Sequence, residues 1–182
     1  HSDLDLKLIV TGAHLSEKYG LTVKEIRKDK FKICDEIESL LDSDTDSSRV
    51  IGLSTQVEAM TRTIKKINPD VLLVLGDREE SLAIAIVGTY LSIPVAHISG
   101  GDKVVGNIDD HVRHSVTKLA HIHFPTSEDS KNRILRMGEE KFRVFNVGNP
   151  GLDRLRNYPK LSRIELSKRI GFDIKNAKQF LI

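Results

Sequence analysis

Short polar turns that follow apolar segments hold most of the residues able to do chemistry in this sequence. Asp77 and Arg78 come directly after Gly76 and the most apolar segment, residues 71–75. A carboxylate in that position is suited to proton transfer or to orienting a sugar hydroxyl, and the guanidinium beside it is suited to pairing with a phosphate. From position alone, capping of a following helix explains Asp77 equally well.

A second turn consists of Ser99, Gly100, Gly101 and Asp102 and also follows an apolar segment. Paired glycines let backbone N–H groups approach an anion or a sugar closely, although they are also common in ordinary turns. The sequence contains neither a dinucleotide-binding G-x-G-x-x-G motif nor a phosphate-binding P-loop. This turn is therefore a weak candidate for contact with a sugar or a phosphate.

The densest polar cluster is the stretch of residues 107–114, which contains Asp109, Asp110, His111, Arg113 and His114. Carboxylates at the start of a helix are stabilised by the helix dipole, and this explanation favours a structural role for Asp109 and Asp110. The ionisable groups that follow exceed what a helix terminus needs. A catalytic role therefore stays open beside the structural one.

Four histidines raise the alternative of a metal site. His121 and His123 alternate on a predicted strand and so point to one face, and His111 and His114 share a face of a predicted helix. Zinc or iron accepts such ligands. An isolated H-x-H pair often occurs by chance in proteins that bind no metal, however, and no carboxylate follows this pair at the spacing of a metal ligand. We therefore expect surface or hydrogen-bonded histidines rather than a metal site.

The elements that must position these groups alternate between apolar strands and amphipathic helices. Strands are predicted at residues 6–10, 71–75, 94–98, 121–124, 143–147 and 179–182. Helices are predicted at residues 57–64, 82–91, 112–119, 134–137 and after residues 149–151, with Arg113 and Lys118 on the exposed side of the third helix. Residues 42–48 are small and acidic, which is typical of a solvated loop.

The order of these elements predicts an α/β fold with a Rossmann-like, doubly wound parallel sheet. The segments at residues 71–75 and 94–98 are continuously apolar, which is typical of parallel strands covered on both faces. Ligands of such sheets bind beyond the carboxyl ends of the strands. The turns at residues 11–14, 76–78, 99–102, 126–127 and 148–149 are therefore expected at one edge.

Composition restricts the kind of partner. The 28 Lys and Arg residues nearly balance the 26 Asp and Glu residues among 182, a net charge of +2, which argues against a nucleic-acid partner. The sequence lacks an apolar run near the roughly 20 residues that span a bilayer and opens without a signal peptide, so no membrane partner is predicted. A single cysteine, Cys34, is more typical of a core position than of a nucleophile and fits a reducing, cytoplasmic compartment.

Five motifs in one order carry a family resemblance. They are residues 11–20, 75–78, 97–102, 108–114 and 148–153. Together they closely resemble the UDP-N-acetylglucosamine 2-epimerases, and within them the hydrolysing branch that feeds sialic and legionaminic acid synthesis. The resemblance covers nearly the whole chain, and Ser99 stands where the family motif often carries Glu.

The resemblance implies the N-terminal half of a two-domain GT-B-type fold. Residues 1–170 would be a Rossmann-like domain without its first strand, and residues 171–182 would begin a C-terminal domain. Because predicted strands lie at both ends of the sequence, we expect a piece of a longer protein that is inactive by itself. The complete protein is expected to be a homodimer.

The resemblance also implies a reaction, which is anti-elimination of UDP to give a 2-acetamidoglucal and then hydration to N-acetylmannosamine. It assigns Asp77 and Asp109 as the acid/base carboxylates and Arg78 as a nucleotide contact. His14, Ser99, Gly100, Gly101 and Asp102 would contact the substrate, a UDP-sugar. Neither a nicotinamide cofactor nor a metal is required by these steps.

Two alternatives remain open from the sequence. One is a non-hydrolysing UDP-N-acetylglucosamine 2-epimerase, and the other is a nucleotide-sugar-binding module without turnover. The sequence leaves undecided whether the sugar is N-acetylglucosamine or a 4-acetamido derivative, and which carboxylate is the base.

Overall fold

The computed structural model describes residues 3–41, 43, 45–157 and 159–174 of the chain. They belong to two compact units, His1–Gly148 and Asn149–Ile182. The strands of the described residues are β1 (Leu8–Thr11), β2 (Ile33–Ile37), β3 (Leu72–Leu75), β4 (Val95–Ile98) and β5 (Ile122–Phe124). The α-helices of the first unit are α1 (Val23–Lys28), α2 (Asp46–Ile67), α3 (Glu79–Tyr90), α4 (Asp109–Leu119) and α5 (Glu128–Arg136). The 3₁₀-helices are Gly12–Leu15, Glu17–Tyr19 and Lys141–Arg143.

The strands form two parallel sheets. In one, β1 pairs with β2, and in the other the order is β3-β4-β5, with Leu72 opposite Val95 and His97 opposite His123. Because neighbouring strands run in the same direction, the carboxyl ends of β3, β4 and β5 lie at one edge. The α/β class with parallel strands, predicted from the sequence, is confirmed.

One apolar cluster holds α2, α3 and α4 against both sheets. It joins Met60 and Ile64 of α2 to Val95 of β4 and Val116 of α4, all at most 1 % exposed. Burial of each such side chain contributes roughly 1.5–3 kcal/mol. The packing therefore fixes the first turns of α3 and α4 beside the carboxyl ends of the strands that precede them.

One expectation about β3 is wrong. Its continuous apolar sequence predicts burial on both faces, but only Leu72 and Val74 are buried, whereas Leu73 and Leu75 are 55 % and 59 % exposed. The even-numbered side chains face the apolar cluster. An apolar strand can be buried on both faces, but each face is buried only if another element packs against it. The sequence of the strand alone does not show whether such an element is present.

The acidic loop is shorter than predicted, because residues 46–48 form the first turn of α2. Thr45 is the N-cap, and its hydroxyl accepts a hydrogen bond from the backbone N–H of Ser48 in a capping box. Small polar residues favour helix caps as much as they favour loops, which explains the wrong boundary. Residues 42 and 44 lie outside the described residues.

The strand predicted at residues 143–147 is also wrong. Only Val144 forms a β-bridge, with His123, although the backbone N–H of Phe145 donates to His123 O at 2.9 Å. The predictions missed β2, α1 and the last described helix, and the strand predicted at residues 179–182 lies outside the described residues.

The second unit contains two described helices, α6 (Gly151–Asn157) and α7 (Arg163–Ile170). A capping box between Ser162 and Glu165 begins α7, and Gly171 ends it in the left-handed conformation. A domain boundary after residue 170 stays a prediction. Among the described helices, none is long and apolar enough to cross a membrane.

Candidate functional site

Asp77 lies in an ion pair beyond the end of β3. Its carboxylate accepts a hydrogen bond from the guanidinium of Arg113 on α4, and the two side chains are 18 % and 9 % exposed. The helix that follows begins at Glu79, with Arg78 as its N-cap and no side-chain cap hydrogen bond. Asp77 therefore does not cap α3, and the capping alternative for this residue is wrong.

Arg113 lies on the buried side of α4, not on the exposed side that the helical pattern predicts. Its neighbours Val112, Val116 and Thr117 on α4 are buried with it. A buried guanidinium requires a partner of opposite charge, and Asp77 supplies it from a strand end far away in the sequence. A pattern confined to one helix cannot reveal this partner.

Three side chains of α4 recur every fourth residue and so share one helix face: Asp109, Arg113 and Thr117. The Thr117 hydroxyl donates to the backbone carbonyl of Arg113 at 2.9 Å. Four residues of α-helix span about 6 Å, so Asp109 lies roughly one helical turn before Arg113, the residue that contacts Asp77. One helix therefore positions both carboxylates.

His97 of β4 is fully buried beneath the site. Its Nε2 lies 2.8 Å from the backbone carbonyl oxygen of Gly76. A carbonyl oxygen only accepts, so Nε2 carries the hydrogen, and the unprotonated Nδ1 lies 3.3 Å from Thr117 Oγ1. Burial lowers the pKa of His97 from 6.5 to about 4, which keeps the ring neutral near pH 7.

The imidazole of His97 also explains the first glycine of the second turn. A Cβ atom at Gly100 would lie 2.9 Å from His97 Nδ1 and 3.1 Å from Thr117 Oγ1. His97 therefore joins the turn at Gly76 to the turn at Gly100. His97 is not among the site residues predicted from the sequence, although a histidine inside a continuously apolar strand is a signal that could have identified it.

Asp109 is the first residue of α4. The side-chain amide of Asn107 donates to Asp109 Oδ2 at 2.7 Å, and Asn107 Oδ1 accepts from the backbone N–H of Asp109 at 3.0 Å. The N-cap, Ile108, contributes no side-chain hydrogen bond. The Asp109 carboxylate lines a cavity of about 270 Å³ together with Arg78.

The cavity contains two cationic side chains in different states. Arg49 Nε donates to Glu79 Oε1 at 2.8 Å, so its charge is paired. The side chain of Arg78 is 68 % exposed, and its Nε lies 3.9 Å from Glu80 Oε2. Because Arg78 is largely solvated and only loosely paired, it is the cation better placed to meet an anionic ligand.

Asp110 forms structural contacts that differ from those of its neighbour Asp109. Its Oδ1 accepts a hydrogen bond from the backbone N–H of Val104 at 3.1 Å, and its Oδ2 lies 3.7 Å from His114 Nε2. The hydrogen bond from Val104 holds the pKa of Asp110 below its ordinary value, with the charges of His114 and His111 adding to the effect. Asp110 therefore ties the preceding loop to α4.

The turn of residues 99–102 is fastened to α5. Ser99 has a φ of 61°, and its backbone N–H donates to Phe124 O at 3.0 Å. The carboxylate of Asp102 accepts hydrogen bonds from the hydroxyls of Thr126, at 3.3 Å, and Ser130. Arg133 of α5 donates to the backbone carbonyl of Gly101. These contacts fix the turn rigidly, and its contact with a sugar stays a prediction.

His14 is exposed in the 3₁₀-helix after β1. Its Nδ1 lies 2.7 Å from the hydroxyl of Thr22. A Cβ atom at Gly12 would overlap the Glu80 carboxylate, so the start of this 3₁₀-helix lies against the first turn of α3. The structure thus places the segment that carries His14 beside the first turn of α3. The hydrogen bond of the His14 side chain goes to Thr22 and not to Asp77 or Asp109.

The four histidines of the metal alternative do not converge. Within the described part of the chain, no three His, Cys, Asp or Glu side chains are grouped so that they could hold a metal ion. His123 is buried with its Nε2 3.3 Å from Glu139 Oε2, whereas His121 Nδ1 accepts from the backbone N–H of Val95 at 3.2 Å. His111 is exposed, and His114 lies beside Asp110.

The structure therefore assembles a corner with two carboxylates and an exposed cation. Asp77 and Asp109 are linked through α4, Arg78 and Asp109 line one cavity, and His97 connects this corner to the turn of residues 99–102. A carboxylate of this kind can move a proton on a bound molecule while a guanidinium stabilises an anionic leaving group. Of the three side chains, Arg78 and Asp109 line the cavity, whereas Asp77 does not.

Comparison with known proteins gives this corner a family context. The sequence model of the family described as UDP-N-acetylglucosamine 2-epimerase matches residues 1–182. The chain is 43 % identical over 171 residues to the UDP-N,N'-diacetylbacillosamine 2-epimerase (hydrolyzing) of Legionella pneumophila, covering 94 % of this chain and 45 % of that protein. It is 41 % identical over 168 residues to the GDP/UDP-N,N'-diacetylbacillosamine 2-epimerase (hydrolyzing) of Campylobacter jejuni, covering 92 % and 44 %.

A solved structure shares the fold. The UDP-GlcNAc 2-epimerase of Neisseria meningitidis, determined bound to UDP-GlcNAc, superposes with a TM-score of 0.71 at 24 % identity, over 92 % of this chain and 44 % of that one. The chain thus spans less than half the length of the relatives it matches.

Proposed function

Because the chain belongs to the UDP-N-acetylglucosamine 2-epimerase family, we propose that the protein is a hydrolysing sugar-nucleotide 2-epimerase. The observation that carries the proposal is the corner in which α4 links Asp77 to Asp109 beside the exposed Arg78. The names of the Legionella and Campylobacter relatives, both hydrolyzing, support the same branch. Because the chain spans less than half of their length, the proposal concerns the full-length protein.

The proposed substrate class is a UDP-linked 2-acetamido sugar. The Neisseria structure with bound UDP-GlcNAc supports UDP-N-acetylglucosamine. The two relatives above 40 % identity are named for UDP-N,N'-diacetylbacillosamine, which supports a sugar with a second acetamido group. Both sugar nucleotides are therefore tested side by side.

The proposed reaction begins with elimination. A carboxylate removes the proton from C2 of the sugar, the bond between C1 and the UDP oxygen breaks, and a double bond forms between C1 and C2. Arg78 stabilises the charge that develops on the departing diphosphate. The products of this half-reaction are UDP and a 2-acetamidoglucal.

Hydration completes the cycle. A proton is delivered to C2 on the face opposite to the one that lost it, and water adds at C1. The sum is sugar nucleotide plus water giving UDP and the free 2-epimer, which is N-acetylmannosamine when the substrate is UDP-N-acetylglucosamine. Asp77 and Asp109 are the proposed acid/base pair, and His14 with the turn of residues 99–102 is proposed to contact the sugar.

A proton NMR time course in deuterated buffer tests this proposal. The full-length protein is expected to release UDP and a 2-epimer deuterated at C2, because the proton returned to C2 comes from solvent. Asp77→Asn and Asp109→Asn should each lower turnover by about 10²–10⁴-fold, the usual contribution of general acid/base catalysis. Asp70→Asn, an exposed residue before the amino end of β3, is the matched control and should leave turnover unchanged.

Other product patterns would contradict the proposal in distinct ways. Formation of the UDP-linked 2-epimer without net UDP release indicates a non-hydrolysing epimerase. Binding of both sugar nucleotides with no reaction indicates a binding module.

Three further properties are proposed on the family resemblance. The full-length protein is cytoplasmic, forms a homodimer and acts in sialic or legionaminic acid synthesis. Residues 1–182 by themselves do not turn over substrate, because they span less than half of the relatives' length. Sedimentation of the full-length protein and an activity assay of the 182-residue chain test the assembly and the inactivity.

A further inference from the structure

Arg113 contacts the carboxylate of Asp77 and lies one helical turn after Asp109 on α4. We propose that Arg113 is a positioning residue of the reaction, whose guanidinium fixes the Asp77 carboxylate at a set distance from Asp109. The inference rests on the proposed function, since it assigns a task to a residue that does not itself line the cavity.

The ion pair is formed away from bulk water. The side chain of Arg113 is 9 % exposed and that of Asp77 is 18 % exposed, so the pair is weakly screened. An exposed ion pair would let Asp77 adopt several rotamers. A buried charge-assisted hydrogen bond restricts it to one.

The support of Arg113 is rigid. Val112 and Val116 flank it on α4 and are 8 % and 0 % exposed within the apolar cluster. Thr117, one turn further, lies 3.3 Å from the buried His97 ring. Asp109 belongs to the same helix as Arg113. Any movement of α4 that displaces Arg113, and with it Asp77, therefore also displaces Asp109.

The guanidinium also has unused donors. Nη2 contacts Asp77, whereas Nε and Nη1 are buried and have no hydrogen-bond partner within the described residues. Buried donors without partners are costly, and an arginine retained for stability alone is expected to satisfy them. The planar guanidinium of Arg113 can donate to either oxygen of the Asp77 carboxylate, and so can stay hydrogen-bonded while Asp77 gains or loses a proton. The ammonium of a lysine does not offer the same planar set of donors.

The test is a double-mutant cycle in the full-length protein with both sugar nucleotides. Arg113→Met, which keeps the volume of the stem, should lower kcat by about 10²-fold, the cost of a small misplacement of a reacting group. KM should change much less, because Arg113 does not line the cavity. Arg113→Lys should restore part of kcat, since it keeps the charge but not the fork.

The decisive comparison is the double variant. If Arg113 acts through Asp77, Asp77→Asn combined with Arg113→Met should be no slower than Asp77→Asn alone. Losses that multiply would overturn the proposal, and so would a fall in melting temperature with an unchanged kcat of the folded enzyme. Arg62→Met on the exposed side of α2 is the matched control and should have no effect on kcat.

Two outcomes separate this proposal from the proposed function. If the wild type releases UDP from neither sugar nucleotide, the function fails and Arg113 has no reaction to serve. If the wild type turns over and only the cycle fails, the function stands and the positioning role is overturned. Should Arg113→Met not fold, Arg113→Lys with Asp77→Asn carries the same cycle.

Discussion

At the scale of single residues, His97 gives the clearest link between burial and chemistry. The ring donates from Nε2 to Gly76 O and is fully buried, and burial lowers its pKa to about 4. Neutral His97 supports the turns at Gly76 and Gly100, whereas a protonated ring would place an unsolvated charge beneath the site. The stability of the site is therefore expected to depend on pH.

This dependence has a defined sign. Between pH 6.5 and about 4 the unfolded chain protonates His97 and the folded chain does not, so stability is full above pH 6.5 and decreases as the pH falls toward 4. The slope attributable to His97 is at most about 1.4 kcal/mol per pH unit. His97→Gln, which keeps an N–H donor but does not titrate, should show a smaller loss between pH 7 and pH 5 in urea unfolding.

The exposed His111 provides the matched control for this measurement. His111→Gln should leave the slope unchanged, because the side chain of His111 is exposed and supports neither turn. Burial also lowers the pKa of His123, but that residue is present in every variant compared. Equal slopes for wild type and His97→Gln would show that His97 is not the titrating group.

At the scale of secondary-structure elements, the site depends on how closely the second turn packs against α5. Gly101 has a φ of 77°, and a Cβ atom there would overlap the carbonyl oxygen of Ser130 and lie 2.8 Å from Ile134 Cγ1. Gly138 has a φ of 91° but nothing within 4 Å of such an atom. The two glycines thus share a left-handed backbone and differ in crowding.

This contrast predicts two different costs. Gly138→Ala should destabilise the chain by about 1–2 kcal/mol, the cost of the left-handed conformation for a residue with a Cβ. Gly101→Ala should cost about 1–3 kcal/mol more, because the turn must move away from the backbone of α5. Urea unfolding of both variants measures the difference, and equal losses would show that packing against α5 does not require the glycine.

At the scale of the whole molecule, the apolar cluster lies entirely within the first compact unit. Its buried members extend from Ile37 to Ala120, and the unit ends at Gly148. The segment between Ala120 and Gly148 contains Glu139, which is 6 % exposed. The carboxylate of Glu139 contacts Lys118 and lies 3.3 Å from His123 Nε2. The first unit therefore contains both its own core and the polar contacts that close it.

Truncation tests this division. A chain ending at Gly148 should keep cooperative unfolding, with a loss of less than about 1 kcal/mol, because the contacts of its core are retained. A chain ending at Met137 should lose markedly more stability, since it leaves His123 and Lys118 without Glu139. A non-cooperative transition for the chain ending at Gly148 would place the domain boundary further along, for example after residue 170.

The main strands and helices could be predicted because their signals are local. Apolar runs identified β3, β4 and β5 within a residue or two, and helical spacing identified α3 and α4. The edge strand β2 was missed because its sequence, Ile-Cys-Asp-Glu-Ile, mixes charges with apolar residues. The strand predicted at residues 143–147 is wrong. Its residues are apolar enough to suggest a strand, but only Val144 forms a bridge.

By itself, the sequence determined the α/β class and the family, since ordered motifs and periodicity are properties of the chain alone. The family resemblance also singled out Asp77, Arg78 and Asp109, in motifs that local patterns place at a strand end and a helix start. Only the tertiary structure decided that Arg113 is buried against Asp77 and that His97 supports two turns. Those contacts join residues 36 and 21 positions apart, and their energies depend on burial that folding creates and no local pattern records.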